Sequence, residues 1–233
     1  MKKVLLAVYL LFHFTNTYCQ STDINVNLNS GLFSFAGESA VSSSWINLNA
    51  QGDGYTNTPY GSQGGLSYGI STSITQFFNS NFLIGAELGY ELLRSKVEIT
   101  RVSGNGGGGM PIAADGQTYL RNRFINLFPK IGYRWAVAQT SIDLSVGMDI
   151  GYCLSAQEKG NAEAGTQDYT TERDRKTIDT DIRPRIQANV SKGKYGGYVG
   201  YSRGIKNYKS GFIGGTNEAY SRLIRFGLTY RVN

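Results

Sequence analysis

Histidine is nearly missing from this chain of 233 residues, in which His13 is the single example. Residues 1–19 have the pattern of a secretory signal that is removed, so the mature chain is expected to contain no histidine. This absence excludes hydrolases and acyltransferases that need a histidine base, and it excludes metal sites built on histidine. We therefore predict that the protein is not an enzyme and that it binds no cofactor and no metal.

Cysteine is almost as scarce, with two in the sequence. Cys19 ends the signal, so Cys153 is left alone and the mature chain can form no internal disulfide. Without a histidine to activate it, Cys153 is expected to be a small packing residue rather than a nucleophile.

Long apolar runs are also absent. The apolar stretch 4–14, which follows two lysines, has about 11 residues, too few for the roughly 20 that a membrane-spanning helix needs. We predict a signal peptide at 1–19 and one domain at 20–233. A lipoprotein cut before Cys19 is the alternative, against which stands the lack of small apolar residues in 16–18.

Strict alternation of apolar and polar residues is what the sequence does contain. In 140–154 every second residue is apolar, and charged, small or polar residues lie between them. Because side chains of a strand point alternately to two faces, one face of this segment is oily and the other is polar. The pattern predicts eight strands, at 24–36, 64–77, 82–100, 118–135, 140–154, 177–191, 195–206 and 219–232, with the phase of the first and seventh left open.

The connections between these strands are of two kinds. Three are tight turns at 79–81, 136–139 and 192–194; the others are long and rich in Gly, Ser, Thr and Asn, at 37–63, 101–117, 155–176 and 207–218. Bacterial outer-membrane barrels have short periplasmic turns and long outer loops. We predict an all-β fold, an eight-stranded antiparallel up-and-down transmembrane β-barrel. It would lie in the outer membrane of a Gram-negative bacterium, in contact with its lipid and with both termini periplasmic.

A soluble barrel with an apolar interior, of the lipocalin type, is the competing fold. The polar face favours the membrane barrel, because it is full of glycine and serine, which suit the narrow interior of eight strands. Pro129 and Pro184 are the difficult residues, since proline cannot donate a ladder hydrogen bond. We predict a local bulge at each.

Three segments resemble a known family. They are the signal end Cys19-Gln20, the strand RFINLFPKIGYRW at 123–135 with its internal Pro129, and the final strand RFGLTYRVN at 225–233. On these, the chain resembles the PorT-like outer-membrane β-barrel family of Bacteroidota and, more loosely, eight-stranded barrels of the OmpX and OmpA type. The resemblance implies location and fold, and suggests an association with protein secretion. The chain departs from such barrels in ending on Val232-Asn233 rather than on an aromatic residue.

Charges on the polar face of the predicted strands follow an order. Strands three to six are acidic, basic, acidic and basic in turn, so neighbouring strands would oppose unlike charges, which are tolerated in a barrel interior when paired. We predict a charge network in the lumen that either plugs the barrel or lines a narrow pore that favours anions. Cross-strand pairs are expected around Lys130 and Arg134, with Glu87, Glu91, Asp143 and Asp149 as their partners. Its members are Glu87, Glu91, Lys130, Arg134, Asp143, Asp149, Arg183, Arg185, Arg225 and Arg231.

Aromatic residues in the loop 37–63 are candidates for contact with other molecules, since aromatics are enriched at binding hot spots. They are Trp45, Tyr55 and Tyr60, and the alternative is that they fold back on the barrel rim. The sequence leaves open a structural or surface-interaction role through the loops with a possible protein partner, an accessory role in a secretion or assembly machine, and a narrow pore. Nucleic acid is not expected, because the positive surplus lies in the strands rather than in the loops.

Overall fold

The computed structural model describes residues 19–104, 110–175, 178–211 and 217–233, which form eleven β-strands. The predicted signal peptide lies outside them, and its cleavage remains a prediction. The strands are β1 (Cys19–Ala36), β2 (Ser43–Leu48), β3 (Gly54–Thr56), β4 (Gln63–Phe78), β5 (Phe82–Ser103), β6 (Ile112–Val137), β7 (Thr140–Ala164), β8 (Gln167–Asp174), β9 (Thr180–Lys192), β10 (Tyr195–Arg203) and β11 (Tyr220–Arg231). In the described ranges there is no helix of sufficient length and apolarity to cross a membrane.

Eight of the strands close into a barrel. Antiparallel pairs run in the order β1, β4, β5, β6, β7, β9, β10 and β11, and β11 pairs with β1 from Asn25↔Arg231 to Ala36↔Tyr220. Because the barrel is closed, each of these eight strands pairs on both of its edges. A strand in lipid requires this, since no water is present to bond its backbone groups. The predicted all-β, eight-stranded antiparallel barrel is confirmed.

The apolar face of the barrel points outward. Leu28, Leu88 and Leu228 are each more than half exposed on the isolated chain, whereas the inward neighbours Asn27 and Glu87 are buried. A soluble barrel would show the reverse, so the lipocalin-like alternative is wrong. The same alternation now fixes the phase of β1, in which Ile24, Val26, Leu28 and Leu32 face outward.

The short turns, the start of β1 and the end of β11 lie at one end of the barrel. Gly193, which opens the turn between β9 and β10, has a φ of 58°, a conformation that glycine adopts without strain. At the same end, the backbone N–H of Val232 donates to the carbonyl of Ile24. Outward aromatic pairs mark this rim, as interfacial aromatics do in membrane barrels: Phe78 with Phe82, Tyr133 with Trp135, and Tyr195 with Tyr230.

Proline is accommodated without the predicted bulges. Pro129 pairs with Ala86 of β5, and the β6–β7 ladder keeps one register while lacking rungs between Leu127↔Ile150 and Lys130↔Gly147. The missing N–H of Pro129 therefore faces a gap in the ladder. Pro184 pairs with Met148 in an unbroken register and lies beyond the last β9–β10 rung, Ser202↔Arg185. The expectation of a bulge at each proline was wrong. Each proline lies where the sheet has no ladder rung on the side that its missing N–H would face.

Beyond the barrel, strands continue into regions where the sequence predicted loops. We call this projection the head; it consists of β2, β3, β8 and the outer segments 98–103, 112–117 and 157–164 of β5, β6 and β7. Its strands pair in a second ring, in which β2 adds to β5 in parallel, β8 adds to β7, and β3 bridges β2 and β8. A small apolar core fills it: Ile46, Ile99, Val102, Ala162 and Ala164.

Candidate functional site

At the turn end of the lumen, one cluster of charges ties four strands together. Arg134 donates from Nε and Nη2 to the two carboxylate oxygens of Asp143, at 2.6 and 2.8 Å. Asp23 accepts from Arg134 Nη2 at 3.2 Å and lies 3.0 Å from Arg231 Nη2. The Arg134 guanidinium also covers the ring of Phe77, 3.6 Å from its centroid. The cluster joins β1, β6, β7 and β11, and Asp23 was not among the predicted members.

A second charge cluster fills the middle of the barrel. Arg225 donates to Glu91 from Nε at 2.7 Å and from Nη2 at 2.9 Å, and Nη2 also donates to Asp149 at 2.9 Å. Arg183 Nη2 lies 3.1 Å from Asp149, and its Nη1 lies 3.8 Å from Asp181. All five side chains are at most 5% exposed, so the charges are compensated by one another rather than by water.

Glu87, Lys130 and Arg185 lie between the two clusters. Arg185 Nη1 is 3.7 Å from Glu87 Oε1, and its guanidinium lies 4.1 Å from the ring centroid of Phe128. Lys130 is buried, but among the described residues no carboxylate oxygen is within 4.0 Å of its ammonium nitrogen. Of the two cations around which we expected pairs, Arg134 is the one that makes them.

Among the described residues, the charges inside the barrel sum to zero. With Asp23 and Asp181, the six carboxylates equal the six cations, so the positive excess behind the expected preference for anions is not present. The carboxylates are Asp23, Glu87, Glu91, Asp143, Asp149 and Asp181, and the cations are Lys130, Arg134, Arg183, Arg185, Arg225 and Arg231.

Little free space remains inside the barrel. A cavity of about 40 Å³ at the turn end is lined by the first cluster together with Glu87 and Lys130, which is room for a few water molecules. On the side of the second cluster away from the turn end, the inward residues become apolar and close the bore. This apolar seal consists of Phe33, Phe35, Tyr60, Leu93, Leu120, Phe124, Tyr208, Ala219 and Leu223. A polar layer and an apolar layer thus follow one another along the axis.

Tyr60 belongs to the seal and not to an exposed contact surface. It is 6% exposed and packs edge-on against Phe35, with ring centroids 5.2 Å apart. Tyr208 packs edge-on against both Phe35 and Tyr60, with ring centroids 4.8 and 6.5 Å apart, and donates its hydroxyl hydrogen to Asp181 Oδ2 at 2.7 Å. Burial raises the pKa of both tyrosines, so both are neutral at physiological pH. The expectation that Tyr60 contacts other molecules is corrected; it folds back on the rim because Phe33 and Phe35 provide an apolar seat.

The other two loop aromatics lie on the head. Trp45 on β2 is 42% exposed and donates from its indole N–H to Asn47. Tyr55 on β3 is half-buried beneath the guanidinium of Arg173, which lies 5.3 Å from its ring centroid. Of the three candidates, Trp45 therefore presents the most accessible ring.

One buried acid anchors the head. Glu158 on β7 is fully buried and accepts hydrogen bonds from the backbone N–H of Thr56 at 2.6 Å and from Arg175 Nε at 2.7 Å. Arg175 Nη2 in turn donates to the carbonyl of Thr56 at 2.5 Å. These bonds hold β3 and the end of β8 against β7, so the head is an ordered body.

Several of these residues escaped sequence reasoning. Asp23, Asp181 and Glu158 look like any other polar residues on a polar face. The seal did leave a signal: adjacent apolar residues such as Leu32-Phe33, Leu92-Leu93 and Leu223-Ile224 place apolar groups on both faces of a strand. Within the described residues, no three Cys, Asp or Glu side chains are grouped as a metal would require.

Comparison with known proteins gives one family match. The model of a family described as outer membrane protein beta-barrel domain matches residues 19–210. No curated protein sequence matches the chain.

Solved structures similar to this chain include three outer-membrane proteins. Neisserial surface protein A (NspA) is 10% identical with a TM-score of 0.37, over 91% of this chain and 99% of that one. Ail, the attachment invasion locus protein of Yersinia pestis, in complex with the heparin analogue sucrose octasulfate, is 10% identical with a TM-score of 0.32, over 90% and 97%. The outer membrane protease OmpT of Escherichia coli is 12% identical with a TM-score of 0.36, over 90% and 96%.

Proposed function

Because this chain belongs to the outer membrane protein beta-barrel domain family, we propose that it is a closed barrel that presents an ordered head outside the cell for contact with other molecules. The protein is an integral outer-membrane β-barrel. The head carries the proposal, since an ordered second ring of strands with its own buried core is more than a connection between strands needs.

A transport role has less support. The charges that would line a pore are buried and occupied with one another, and the apolar seal blocks the bore above them. An eight-stranded barrel has an interior just wide enough for its side chains. A closed lumen leaves the surface as the part of the molecule available for function.

The orientation is part of the proposal. Both termini and the short turns would face the periplasm, and the head would face outward, as in other bacterial barrels. Placement among PorT-like barrels of Bacteroidota is likewise proposed, on the resemblance of the Pro129 strand and of the final strand. In that case a protein of the secretion machinery becomes a candidate partner for the head.

Single-cysteine labelling on intact cells tests the orientation. In a Cys153→Ser background, we would place one cysteine at Asp168 on the head and, as the matched variant, one at Lys194 in a short turn; both positions are exposed. A membrane-impermeant maleimide should label the head cysteine on intact cells. It should label the turn cysteine only after the cells have been permeabilised. The reverse order would contradict the proposal.

Contact by the head is tested with a photo-crosslinking amino acid. Placed at Trp45, it should give adducts with one defined molecule on living cells, whereas the same amino acid at lipid-facing Leu28 should not. Equal adduct patterns from both positions would show that the head has no dedicated partner.

A further inference from the structure

The ring of strands in the head is nearly open at one seam. β8 pairs along its whole length with β7, from Gln157↔Asp174 to Ala164↔Gln167. On its other side, the described residues give it a single rung, Gly54↔Thr171 of β3. A strand carries backbone N–H and C=O groups on both of its edges. Apart from this one rung, the backbone groups on the outer edge of β8 therefore have no strand partner among the described residues.

The seam is open because the backbone groups of β3 beyond Gly54 bond to residues other than those of β8. At Gly54 the two strands touch so closely that a Cβ there would lie 2.5 Å from the carbonyl oxygen of Thr170. Two residues later, the N–H and carbonyl of Thr56 are taken by Glu158 and Arg175. A parallel ladder between β3 and β8 therefore ends after one rung.

A groove of about 770 Å³ runs beside this edge. One wall is the segment from Leu48 to Tyr55, and the other is β8 from Asp168 to Arg173. The volume lies within the range of about 300–1,000 Å³ found for ligand sites.

Charge in the groove is unbalanced. Its lining contains three carboxylates, those of Asp53, Asp168 and Glu172, and one guanidinium, that of Arg173, which is directed at the ring of Tyr55. Glu172 meets Lys159 at 3.2 Å, but both side chains are about half exposed, so this pair is screened by water. The groove therefore favours a cationic occupant.

We propose that the groove between β3 and β8 binds an extended, lysine- or arginine-bearing peptide segment of a partner protein, which adds as a strand to the outer edge of β8. Strand addition uses main-chain hydrogen bonds for affinity and alternate side chains for specificity. Here the outer edge of β8 supplies the main-chain hydrogen bonds, and Asp168 and Glu172 supply the specificity for basic side chains. This inference rests on the proposed display function and names its binding site.

The edge argues for a peptide rather than for a saccharide. The two tyrosines in the lining are occupied, Tyr55 by Arg173 and Tyr169 by a hydrogen bond from its hydroxyl to Gln167 at 2.6 Å and by packing on the head core. Neither presents a free ring for a sugar to stack on. Unpaired backbone groups, by contrast, are satisfied in full by another strand.

A pair of N-methylated peptides tests the mode of binding. The probe is a fluorescein-labelled peptide of alternating lysine and valine, measured by fluorescence anisotropy against the full chain in detergent micelles. Because successive N–H groups of a strand point to opposite edges, methylating one alternate set should weaken binding at least about tenfold while methylating the other set leaves it unchanged. Equal effects of the two sets would overturn strand addition, and so would absence of binding by the parent peptide.

Charge reversal tests the location. Asp168→Lys with Glu172→Lys should weaken the parent peptide about tenfold or more, because it inverts the sign of the groove. The matched control, Glu38→Lys with Asp115→Lys, makes the same change at two exposed positions outside the groove and should leave binding unchanged. Equal losses in both pairs would show attraction to net charge alone and would overturn the site.

Self-association is the remaining outcome to measure. If the β8 edge pairs with a second copy of the chain, sedimentation in detergent will show a dimer that the two β8 substitutions dissolve, and the peptide proposal fails. If the peptide does not bind, while the head is still labelled from outside and crosslinks through Trp45, the proposed binding site at β8 is refuted and the display function stands. If head labelling fails, the display function is wrong whatever the peptide does.

Discussion

Replacing Arg225 with methionine is the sharpest perturbation of the lumen. The guanidinium makes three charge-assisted hydrogen bonds of 2.7–2.9 Å to Glu91 and Asp149, and it is 1% exposed. Its loss leaves six buried carboxylates facing five cations, and no bulk water compensates the difference. Removing one partner of a buried pair costs about 3–5 kcal/mol, and we expect the free energy of unfolding to fall by that amount.

The matched control is Lys159→Met on the head. Lys159 also pairs with a carboxylate, Glu172, at 3.2 Å, but with side-chain exposures of 49% and 59%. Exposed pairs contribute about 0–1 kcal/mol, so this variant should unfold close to the wild type. Urea unfolding in lipid vesicles, followed by the fluorescence of Trp45 and Trp135, measures both.

A double variant separates charge balance from packing. Glu91→Met added to Arg225→Met restores equal numbers of buried charges and leaves Asp149 with Arg183, 3.1 Å away. Apolar replacement of both members of a buried pair is often nearly neutral, so the double variant should recover most of the stability that the single one lost. If Arg225→Met is as stable as Lys159→Met, or if the second substitution only adds to the loss, the lumen charges do not stabilise one another and the reasoning fails.

Three further predictions concern the lipid face, the seal and the head. Leu127→Arg, on the outward face of β6, should cost about 2–4 kcal/mol in the same urea assay, whereas Thr166→Arg in the exposed β7–β8 turn should change stability by less than about 0.5 kcal/mol; equal effects would contradict the membrane face. Tyr208→Phe removes a hydrogen bond to buried, charged Asp181 and should cost about 1.5–3 kcal/mol in urea unfolding; no loss would show that this bond does not hold the seal. Glu158→Gln should speed proteolysis of the head while the barrel keeps its urea midpoint, and unchanged cleavage would show that the head does not depend on this acid.

The barrel could be predicted because lipid imposes a strict rule on every strand. In β7, Ile142, Leu144 and Val146 face outward, and each is separated by a residue that the narrow lumen accepts. Two-residue alternation and the contrast of short with long connections therefore sufficed for strand number and topology. The prolines were misjudged because a sequence shows that an N–H is missing but not whether a ladder rung was needed there.

Partners within the lumen could be predicted only in part. Arg134 pairs with Asp143 of the adjacent strand, as expected. Opposed charges on neighbouring strands suggested pairs between adjacent strands, yet Arg225 of β11 bonds to Glu91 of β5 and Asp149 of β7, which are not its neighbours in the sheet. Such contacts cross the bore, and they depend on the tilt and stagger of the barrel. Asp23 and Asp181 were missed for another reason. Asp23 meets Arg231 of the adjacent strand and Asp181 meets Arg183 of its own strand, but on a polar face both look like any other polar residue.

The head was hidden by its composition. Its strands lie in stretches rich in Gly, Ser, Thr and Asn, and its core needs few apolar residues, among them Ile46, Ile99 and Val102. Two of its pairings, β2 with β5 and β3 with β8, are parallel and join distant parts of the chain. Local periodicity carries no information about pairings of that kind.

Conductance of the purified full chain in planar bilayers tests the closed barrel most directly. The two charge clusters and the apolar seal together predict no stable current above the bilayer baseline at moderate voltage. Reproducible ohmic steps from the wild-type protein would show that the lumen is a water-filled path, and they would contradict a barrel whose function lies in its head.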